Sequence, residues 1–209
     1  DVDATIVCGV NDDTLAAKHT VVSVGSCTTN ALAPVAKVLH EAATIENGFM
    51  TTIHAYTGDQ RLVDNSHKDL RRARAAGLNM VPTSTGAAKA IGLVLPELAG
   101  KLTGTAIRVP TPNVSMVDLT VNIKKSISVE EIHEAMREAA KDKMKNILGI
   151  CDEPLVSGDF NHSLFSSVYD EDGTYVNGIL VRIAAWYDNE WGFSSRMLDV
   201  AEKMGQLDG

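Results

Sequence analysis

The chain has 209 residues, 44% of them hydrophobic and 22% charged, which is typical of a globular protein with one larger domain or with one domain and part of another. Its net charge of −8 argues against non-specific binding to nucleic acid or to acidic membranes, and its apolar runs are shorter than the roughly 20 residues that a membrane helix needs. Its three cysteines, which lack any Cys-x-x-Cys spacing, argue against a disulfide framework or a zinc site, so we expect a cytoplasmic protein without a metal.

Two short apolar runs, at residues 5–10 and 21–25, predict buried strands at the end of a parallel sheet. A helix is predicted to begin near residue 28, and the pentapeptide Ser26-Cys27-Thr28-Thr29-Asn30 lies between the second strand and this helix. The first turn of a helix stabilises a thiolate and can hold an oxyanion or a phosphate, because its N–H groups are unpaired and lie at the positive end of the dipole. We therefore expect Cys27 to be a nucleophile with a stabilised thiolate. The alternative is a small buried cysteine among helix-capping residues.

The rest of the chain mixes helices and strands without strict alternation, which indicates an α+β domain. Ser128 and Glu131 have the spacing of a capping box at the start of a helix. The predicted elements are a strand at 49–56, an irregular segment at 58–80 with a helical piece at 68–74, a helix at 85–95, an alternating strand at 114–124, a helix at 128–146, strands at 164–169 and 175–187 around a turn at 170–173, and a helix at 194–204.

Several polar residues are candidates for chemistry. His54 ends a predicted strand, and the usual pKa range of histidine suits it to take a proton from Cys27, although a lone histidine is more often structural. The guanidinium group of arginine and the N–H groups at the start of a helix can bind phosphate. The alternatives are structural: such residues can lie on a solvated helix face, at a strand edge or at a helix cap. The candidates for anion binding are Arg71, Arg108, Thr57 and the Thr85-Gly86 pair. The amide of Asn189 can bind a carboxamide or form an Asx turn.

Five motifs follow Cys27 in an order that resembles one family. They are Thr51-Thr52-Ile53-His54-Ala55-Tyr56-Thr57, Asp69-Leu70-Arg71-Arg72-Ala73-Arg74, Pro82-Thr83-Ser84-Thr85-Gly86-Ala87-Ala88-Lys89, Arg108-Val109-Pro110-Thr111-Pro112-Asn113-Val114 and Tyr187-Asp188-Asn189-Glu190-Trp191-Gly192. Along essentially all 209 residues the chain resembles phosphorylating glyceraldehyde-3-phosphate dehydrogenase. The resemblance implies a mainly antiparallel sheet with helices on one face, preceded by the last strands of a parallel Rossmann-type sheet.

The dinucleotide-binding fingerprint of that family does not occur, because the chain contains no Gly-x-Gly, and the chain opens on an aspartate. We therefore expect most of the amino-terminal cofactor domain to be absent from the sequence as given. Residues 1–27 are then a remnant of that domain, residues 28–192 the catalytic domain, and residues 193–209 a helix that packs on the cofactor domain in the family.

The resemblance implies NAD-dependent oxidative phosphorylation of D-glyceraldehyde 3-phosphate to 1,3-bisphosphoglycerate, an oxidoreductase step of glycolysis and gluconeogenesis. Cys27 forms a thiohemiacetal and then a thioester, with His54 as the base, and inorganic phosphate releases the acyl group. The matched binding residues are Thr57, Asp59 and Arg108 for the phosphate of the substrate, Ser26, Thr28, Arg71, Thr85 and Gly86 for inorganic phosphate, and Asn189 and Tyr187 for the nicotinamide.

The resemblance also bears on cofactor choice and assembly. Small polar residues ending in Ser66 stand where NADP-accepting photosynthetic relatives have them, so tolerance of NADP beside NAD is a hypothesis. A homotetramer is implied, with the loop at 59–80 and the sheet face through Val117, Leu119 and Val121 as candidate interfaces. The expected small-molecule partners are glyceraldehyde 3-phosphate and inorganic phosphate, with no nucleic acid and no membrane.

Two alternatives remain open. Erythrose-4-phosphate dehydrogenase is a relative with the same Cys–His chemistry, although the helix sequence after Pro82 favours the glyceraldehyde 3-phosphate enzyme. The chain could also be a non-catalytic fragment that acts as a binding or assembly module, which the missing fingerprint supports.

Overall fold

The computed structural model describes residues 2–207, and these form a seven-stranded mixed sheet, a separate pair of short strands and four α-helices. The strands are β1 (Ala4–Thr5), β2 (Val22–Ser23), β3 (Ile45–Ala55), β4 (Val81–Ser84), β5 (Leu102–Val109), β6 (Ser115–Ile123), β7 (Leu148–Cys151), β8 (Ser167–Asn177) and β9 (Leu180–Tyr187). The helices are α1 (Cys27–Ala43), α2 (Ala87–Val94), α3 (Val129–Lys141) and α4 (Trp191–Leu207). Residue 1 of the predicted remnant and residues 208–209 of the predicted C-terminal segment lie outside the described residues.

The topology of the sheet confirms the predicted α+β class. Its strand order is β4-β5-β3-β6-β9-β8-β7, in which β3 pairs with β5 and β7 with β8 in parallel while the other four pairings are antiparallel. The short strands β1 and β2 pair in parallel immediately before α1, as the resemblance implied for the end of a parallel sheet.

The main core lies between one face of the large sheet and α1, which packs against α2, α3 and four of the strands, β3, β6, β8 and β9. Along β6 every second side chain is buried in this core, as the alternating pattern predicted. Val117, Leu119 and Val121 are at most 1% exposed, so the prediction that their face of the sheet is an exposed interface is wrong. The physical reason is that the helices cover the apolar face, which leaves the opposite face to solvent.

Two predicted elements are replaced by turns. After β1, the segment predicted as a strand to residue 10 turns at Gly9, whose φ is 75°, and the Asn11 side chain accepts a hydrogen bond from Val7 N at 2.8 Å. The helical piece predicted at 68–74 is a series of turns, because the Asp69 side chain accepts from Arg71 N at 3.0 Å and competes with helix formation.

The hairpin of β8 and β9 turns later than predicted. Residues 170–173 form an irregularity within β8, and the chain reverses at Gly178, which has a φ of 63°. Glu171 in this irregular segment is buried and accepts two hydrogen bonds from Arg137 on α3, so a tertiary contact holds it inside the strand.

The last two helices also differ from their predicted bounds. Helix α3 has the predicted capping box but ends at Lys141, and Asn146 beyond it has a φ of 65°. Helix α4 begins earlier than predicted because Asp188 Oδ1 accepts from Trp191 N at 2.8 Å, and Gly205 lies inside the helix. Strands β4, β5 and β7 were not predicted.

Candidate active site

Cys27 is the first residue of α1, at the corner between β2 and the helix. Ser26 is the N-cap with extended backbone angles, and its Oγ accepts from Thr29 N at 3.1 Å. The Asn30 side chain donates to Val24 O at 2.7 Å and to Ser26 O at 2.9 Å, which ties the helix start to the preceding strand. The corner therefore holds the Cys27 thiol half-buried at the positive end of a 17-residue helix.

His54 faces this thiol from the carboxyl end of β3. Its Nε2 lies 3.6 Å from Cys27 Sγ, and the histidine is only 3% exposed. Its Nδ1 lies 2.7 Å from the carbonyl oxygen of Ala55 and 2.8 Å from Arg108 Nη1. When Nδ1 carries the proton it donates to Ala55, and Nε2 can then accept the proton of the thiol. When Arg108 donates to Nδ1, Nε2 carries the proton and points it towards the sulfur.

Burial keeps both members of this pair uncharged. Burial, opposed by hydrogen bonds from Thr28 and by the charge of Arg108, raises the pKa of the Cys27 thiol. Burial and the adjacent Arg108 lower the pKa of His54 to about 4. The expected stabilisation of the thiolate is therefore wrong for this structure, because the helix start and its donors do not outweigh the cost of burying a charge. The pair is a neutral thiol beside a neutral imidazole.

Arg108 lies beside His54 because β5 pairs in parallel with β3, with Arg108 opposite His54 in the register. Its Nη1 donates to Ala55 O at 3.0 Å, whereas its buried Nε finds no hydrogen-bond partner anywhere in residues 2–207. Burial lowers the pKa of this guanidinium, and the nearby Arg72 lowers it further. A half-buried cation with an unused donor, next to the thiol, is suited to bind an anionic group of a ligand.

The structure gives Arg72, not Arg71, the inward position in the Arg-Arg pair. The Arg71 side chain is exposed, whereas Arg72 is half-buried, forms an ion pair with Asp59 and donates to Ser84 O at 3.3 Å. Arg72 is also the residue whose charge reaches Arg108. The role of Arg71 in phosphate binding stays a prediction, and Arg72 becomes a second candidate that the sequence did not identify, because the burial of one arginine in a turn leaves no periodic signal. Asp59 is a partner of this arginine and is placed to orient it.

The remaining candidates for anion binding differ in burial and in their hydrogen bonds. Thr28 is buried, and its Oγ1 lies 2.9 Å from Tyr187 OH, so its hydroxyl is engaged within the protein. Thr57 is half-buried and its N–H donates to Gln60 Oε1 at 3.0 Å. Thr85 Oγ1 accepts from Ala87 N at 3.2 Å just before α2. Ser26 and Gly86 are exposed at the starts of the two helices.

The three candidates for cofactor binding differ in burial and in their hydrogen bonds; the first is Asn189. It is 5% exposed, its Oδ1 accepts from Ser115 Oγ at 2.8 Å, and its Nδ2 makes a long 3.4 Å contact with Glu190. Tyr187 is 1% exposed and its hydroxyl contacts two threonines, so we correct its predicted contact with a nicotinamide to a place inside the core. Ser66 is exposed in the loop after β3, and its predicted contact stays a prediction.

Residues 2–207 lack two kinds of feature, a cluster of metal ligands and a membrane-spanning helix. Within residues 2–207, no group of three or more histidine, cysteine, aspartate or glutamate side chains is arranged to hold a metal ion. No helix in the same range is long and apolar enough to cross a membrane.

Comparison with known proteins places this geometry in context. The family model described as the C-terminal domain of glyceraldehyde 3-phosphate dehydrogenase matches residues 26–189. Glyceraldehyde-3-phosphate dehydrogenase of Xanthobacter flavus is 63% identical over 206 residues, which cover 98% of this chain and 62% of the relative. The enzymes so named from Cereibacter sphaeroides and Pseudomonas aeruginosa are 61% and 60% identical, over 98% and 96% of this chain and 62% and 60% of their own lengths. The chain thus spans about three fifths of the length of these relatives.

Proposed function

Because the chain belongs to the glyceraldehyde-3-phosphate dehydrogenase family, we propose that it is the catalytic portion of an NAD-dependent enzyme that oxidises and phosphorylates D-glyceraldehyde 3-phosphate. The observation that carries the proposal is the 3.6 Å approach of Cys27 Sγ to His54 Nε2 at the start of α1, beside the Arg108 guanidinium. A thiol, a base and a fixed cation are the groups that acyl transfer from a phosphorylated aldehyde requires.

The proposed reaction begins with the neutral pair. The proton of the Cys27 thiol passes to His54 Nε2 as the sulfur attacks the aldehyde carbon, and it then passes to the new oxyanion to give a thiohemiacetal. His54 next takes the hydroxyl proton while the carbon loses its hydride, which leaves a thioester on Cys27. Inorganic phosphate attacks the thioester carbon, the acyl phosphate departs, and the sulfur leaves as a thiolate that takes the proton back from His54. Backbone N–H groups at the start of α1 favour the oxyanion in both attacks.

NAD would supply the hydride acceptor for this reaction. The Asn189 amide fits such a group, because Ser115 donates to its Oδ1 and leaves Nδ2 with only the long contact to Glu190. Nδ2 is therefore available to donate to the oxygen of a carboxamide. Tolerance of NADP through Ser66 remains part of the proposal.

Two cations support the choice of a phosphorylated substrate and a phosphate co-substrate. Arg108 presents a buried Nε that is without a partner in the described residues, and Arg72 approaches the same region from the loop after β3. Two arginines whose charges act on each other, one of them close enough to act on the thiol, would balance the charge of two phosphate groups. Thr57, Thr85 and Gly86 are proposed to contribute the surrounding hydroxyl and N–H donors.

The proposal extends to assembly and location. Homotetramer formation and a cytoplasmic site are proposed from family membership, and the loop at 59–80 remains a proposed interface. The domain division at residues 27 and 192 is likewise proposed.

The acyl-transfer half of the reaction can be tested on this chain, because in reverse it needs no nicotinamide. Incubated with 1,3-bisphosphoglycerate, Cys27 should gain a phosphoglyceryl group, which intact-protein and peptide mass spectrometry detect as a thioester. His54→Asn should slow acylation by about a hundredfold, the lower end of the usual effect of a general base. Cys151→Ser, which removes a buried cysteine of a separate small cluster, is the matched control and should acylate normally.

A chain that stays unmodified, or that is acylated equally on Cys8 and Cys151, contradicts the proposal and favours a binding or assembly module. For the whole protein, NADH formation with glyceraldehyde 3-phosphate compared with erythrose 4-phosphate distinguishes the two sugar phosphates by their kcat/KM ratio.

A further inference from the structure

Two asparagine–glycine pairs occur in the chain, and the fold places them in opposite settings. Asn47-Gly48 lies inside β3, in the middle of the large sheet, and Asn177-Gly178 lies at the tip of the hairpin formed by β8 and β9. Both asparagine side chains are exposed, so exposure does not distinguish the two pairs. The difference between them lies in how firmly the backbone of the glycine is held.

An asparagine followed by glycine can lose its side-chain amide without any catalyst. The backbone nitrogen of the glycine attacks the Cγ carbon of the asparagine, a new N–Cγ bond closes a five-membered succinimide, and ammonia leaves with the proton of the former N–H. Water then opens the ring at either carbonyl, which gives aspartate or isoaspartate. The two reacting groups are always close, and glycine has no Cβ to crowd the attacking nitrogen. In a folded protein the rate therefore depends on whether the backbone can rotate to bring this nitrogen against Cγ.

The backbone around Asn47-Gly48 is held on both sides. Gly48 N donates to Lys101 O at 2.9 Å, and Asn47 Oδ1 accepts from Asn122 Nδ2 at 3.0 Å. A Cβ added at Gly48 would lie 2.5 Å from Val121 Cγ1, which shows how closely the neighbouring strand packs. Strand β3 pairs with β5 on one side and with β6 on the other, so closing the ring here would require opening the centre of the sheet.

The backbone around Asn177-Gly178 is held at one end of a hairpin. Asn177 pairs with Leu180, and the two residues between them form the turn, in which Gly178 has a φ of 63°. Within residues 2–207, Gly178 N donates no backbone hydrogen bond, and a Cβ added at Gly178 would meet nothing within 4 Å. The turn is anchored by Ile179 O, which accepts from Ile123 N at 2.9 Å. Opening one terminal pair of a hairpin costs far less free energy than opening a central strand.

We propose that Asn177 is a modification site, at which the folded protein loses the side-chain amide by attack of Gly178 N and acquires aspartate or isoaspartate, with water as the co-reactant. Asn47 precedes a glycine as well, but the sheet protects it. Isoaspartate adds one methylene to the main chain where β8 meets the turn, and either product adds a negative charge. In the isoaspartate form the pair with Leu180 cannot re-form in its original register. The reaction uses neither Cys27 nor His54, so it is independent of the proposed activity.

The experiment incubates the folded chain at mildly alkaline pH in water enriched in oxygen-18, and peptide mass spectrometry follows both pairs. Trypsin releases Asn47 in the peptide 38–61 and Asn177 in the peptide 146–182, and fragmentation identifies the residue that has changed. The heavy isotope marks residues that deamidate during the incubation. In the folded chain Asn177 should deamidate at least about tenfold faster than Asn47, because local opening is easier at a hairpin tip than inside a sheet.

Unfolding the chain in urea provides the first control. Both asparagines precede glycine, so their rates should become nearly equal once neither backbone is held. Similar rates at Asn47 and Asn177 in the folded chain would overturn the inference. It would also be overturned if Asn177 reacts in urea but stays intact in the folded chain.

Gly178→Asp provides the matched variant. The added side chain has open space, and aspartate is among the residues that adopt a positive φ, so the hairpin should form as in the parent. Crowding at the attacking nitrogen should slow deamidation of Asn177 by about tenfold and leave Asn47 unchanged. Thermal melting checks that the variant is folded, and an unchanged rate at Asn177 in the folded variant would contradict attack by the residue 178 nitrogen.

Discussion

The His54 imidazole is 3% exposed and faces the Arg108 guanidinium, and both conditions hold its pKa at about 4. At neutral pH the imidazole is therefore ready to accept a proton without first losing one. Burial also raises the pKa of Cys27, so the thiol stays protonated until the sulfur attacks a carbonyl carbon. The reactivity of the pair then depends on the short distance between the two groups and on what stabilises charge after attack, not on a preformed thiolate.

The lowered pKa of His54 predicts how stability depends on pH. Between pH 6.5 and about 4 the unfolded chain binds a proton at this histidine that the folded chain does not, so the free energy of unfolding falls as the pH falls. The contribution is complete above pH 6.5, and about 3 kcal/mol of it should be lost by pH 4. Urea unfolding at several pH values should show a shallower loss of stability on acidification in His54→Asn than in the parent.

His162→Asn is the control for this prediction, because His162 is exposed and its φ of 63° is one that asparagine tolerates. The free energy of unfolding of His162→Asn should fall with acidification as steeply as that of the parent. If His54→Asn and the parent lose stability in parallel, the buried neutral state of His54 is contradicted.

The pair of adjacent arginines gives a second prediction at the residue scale. Arg72→Gln should weaken the binding of inorganic phosphate by about tenfold, because it removes a half-buried cation whose charge reaches Arg108. Arg71→Gln removes an exposed cation one residue away and should change phosphate binding little. Thermal shift against phosphate concentration measures both, at constant ionic strength. Equal losses of phosphate affinity for the two variants would contradict the larger role expected of Arg72.

At the scale of elements, the parts that could be predicted from the sequence are those with local causes. The strand–helix corner at Cys27 and the capping box at Ser128 were predicted because capping residues and apolar periodicity act within a few positions. Strands β5 and β7 depend on parallel neighbours that are distant in sequence, which leaves little local signal. The turn predicted at 170–173 has turn composition, but the contact of Glu171 with Arg137 keeps the segment in a strand.

The residues of the candidate site were likewise predicted only where a local sequence pattern marks them. Cys27 and His54 were found because each ends an element with a recognisable pattern, and family resemblance linked them. The inward position of Arg72 and the contacts of Tyr187 with two threonines arise from folding across distant segments, so no local pattern identifies them.

The capping box at α3 gives the prediction at this scale. Ser128 Oγ accepts from Glu131 N at 3.2 Å, and Glu131 Oε2 accepts from Ser128 N at 2.8 Å. Ser128→Ala should lower the free energy of unfolding by about 1 kcal/mol, because it leaves an N–H at the helix start without its cap. Ser126→Ala, two residues earlier on the exposed approach to the helix, is the control and should be neutral. Urea denaturation measures the free energy of unfolding of both variants, and equal values would contradict a stabilising role of the Ser128 cap.

At the scale of the whole molecule, the segment before α1 and the large sheet share one hydrophobic core. Ile6, Val7 and Val10 belong to the same buried cluster as the apolar residues of α1 and β6, and Lys203 on α4 forms an ion pair with Asp12 of this segment. Two-residue strands cannot hold such a segment by themselves, so its order depends on burial against α1. The described residues should therefore unfold as one cooperative unit.

Ile6→Ala tests that cooperation, because Ile6 is 1% exposed and its removal leaves a cavity beneath α1. The free energy of unfolding of the entire chain should fall by about 3 kcal/mol, with a single transition that the fluorescence of Trp186 and Trp191 and far-UV circular dichroism report at the same denaturant concentration. Val21→Ala, at a side chain that is 54% exposed in the same segment, should change stability by less than about 0.5 kcal/mol. If Ile6→Ala instead produces an early local transition in circular dichroism while the tryptophan fluorescence keeps its parental midpoint, the segment before α1 unfolds separately from the large sheet. In that case the Cys27 corner, which lies at its end, would be less rigid than the 3.6 Å sulfur–imidazole pair requires.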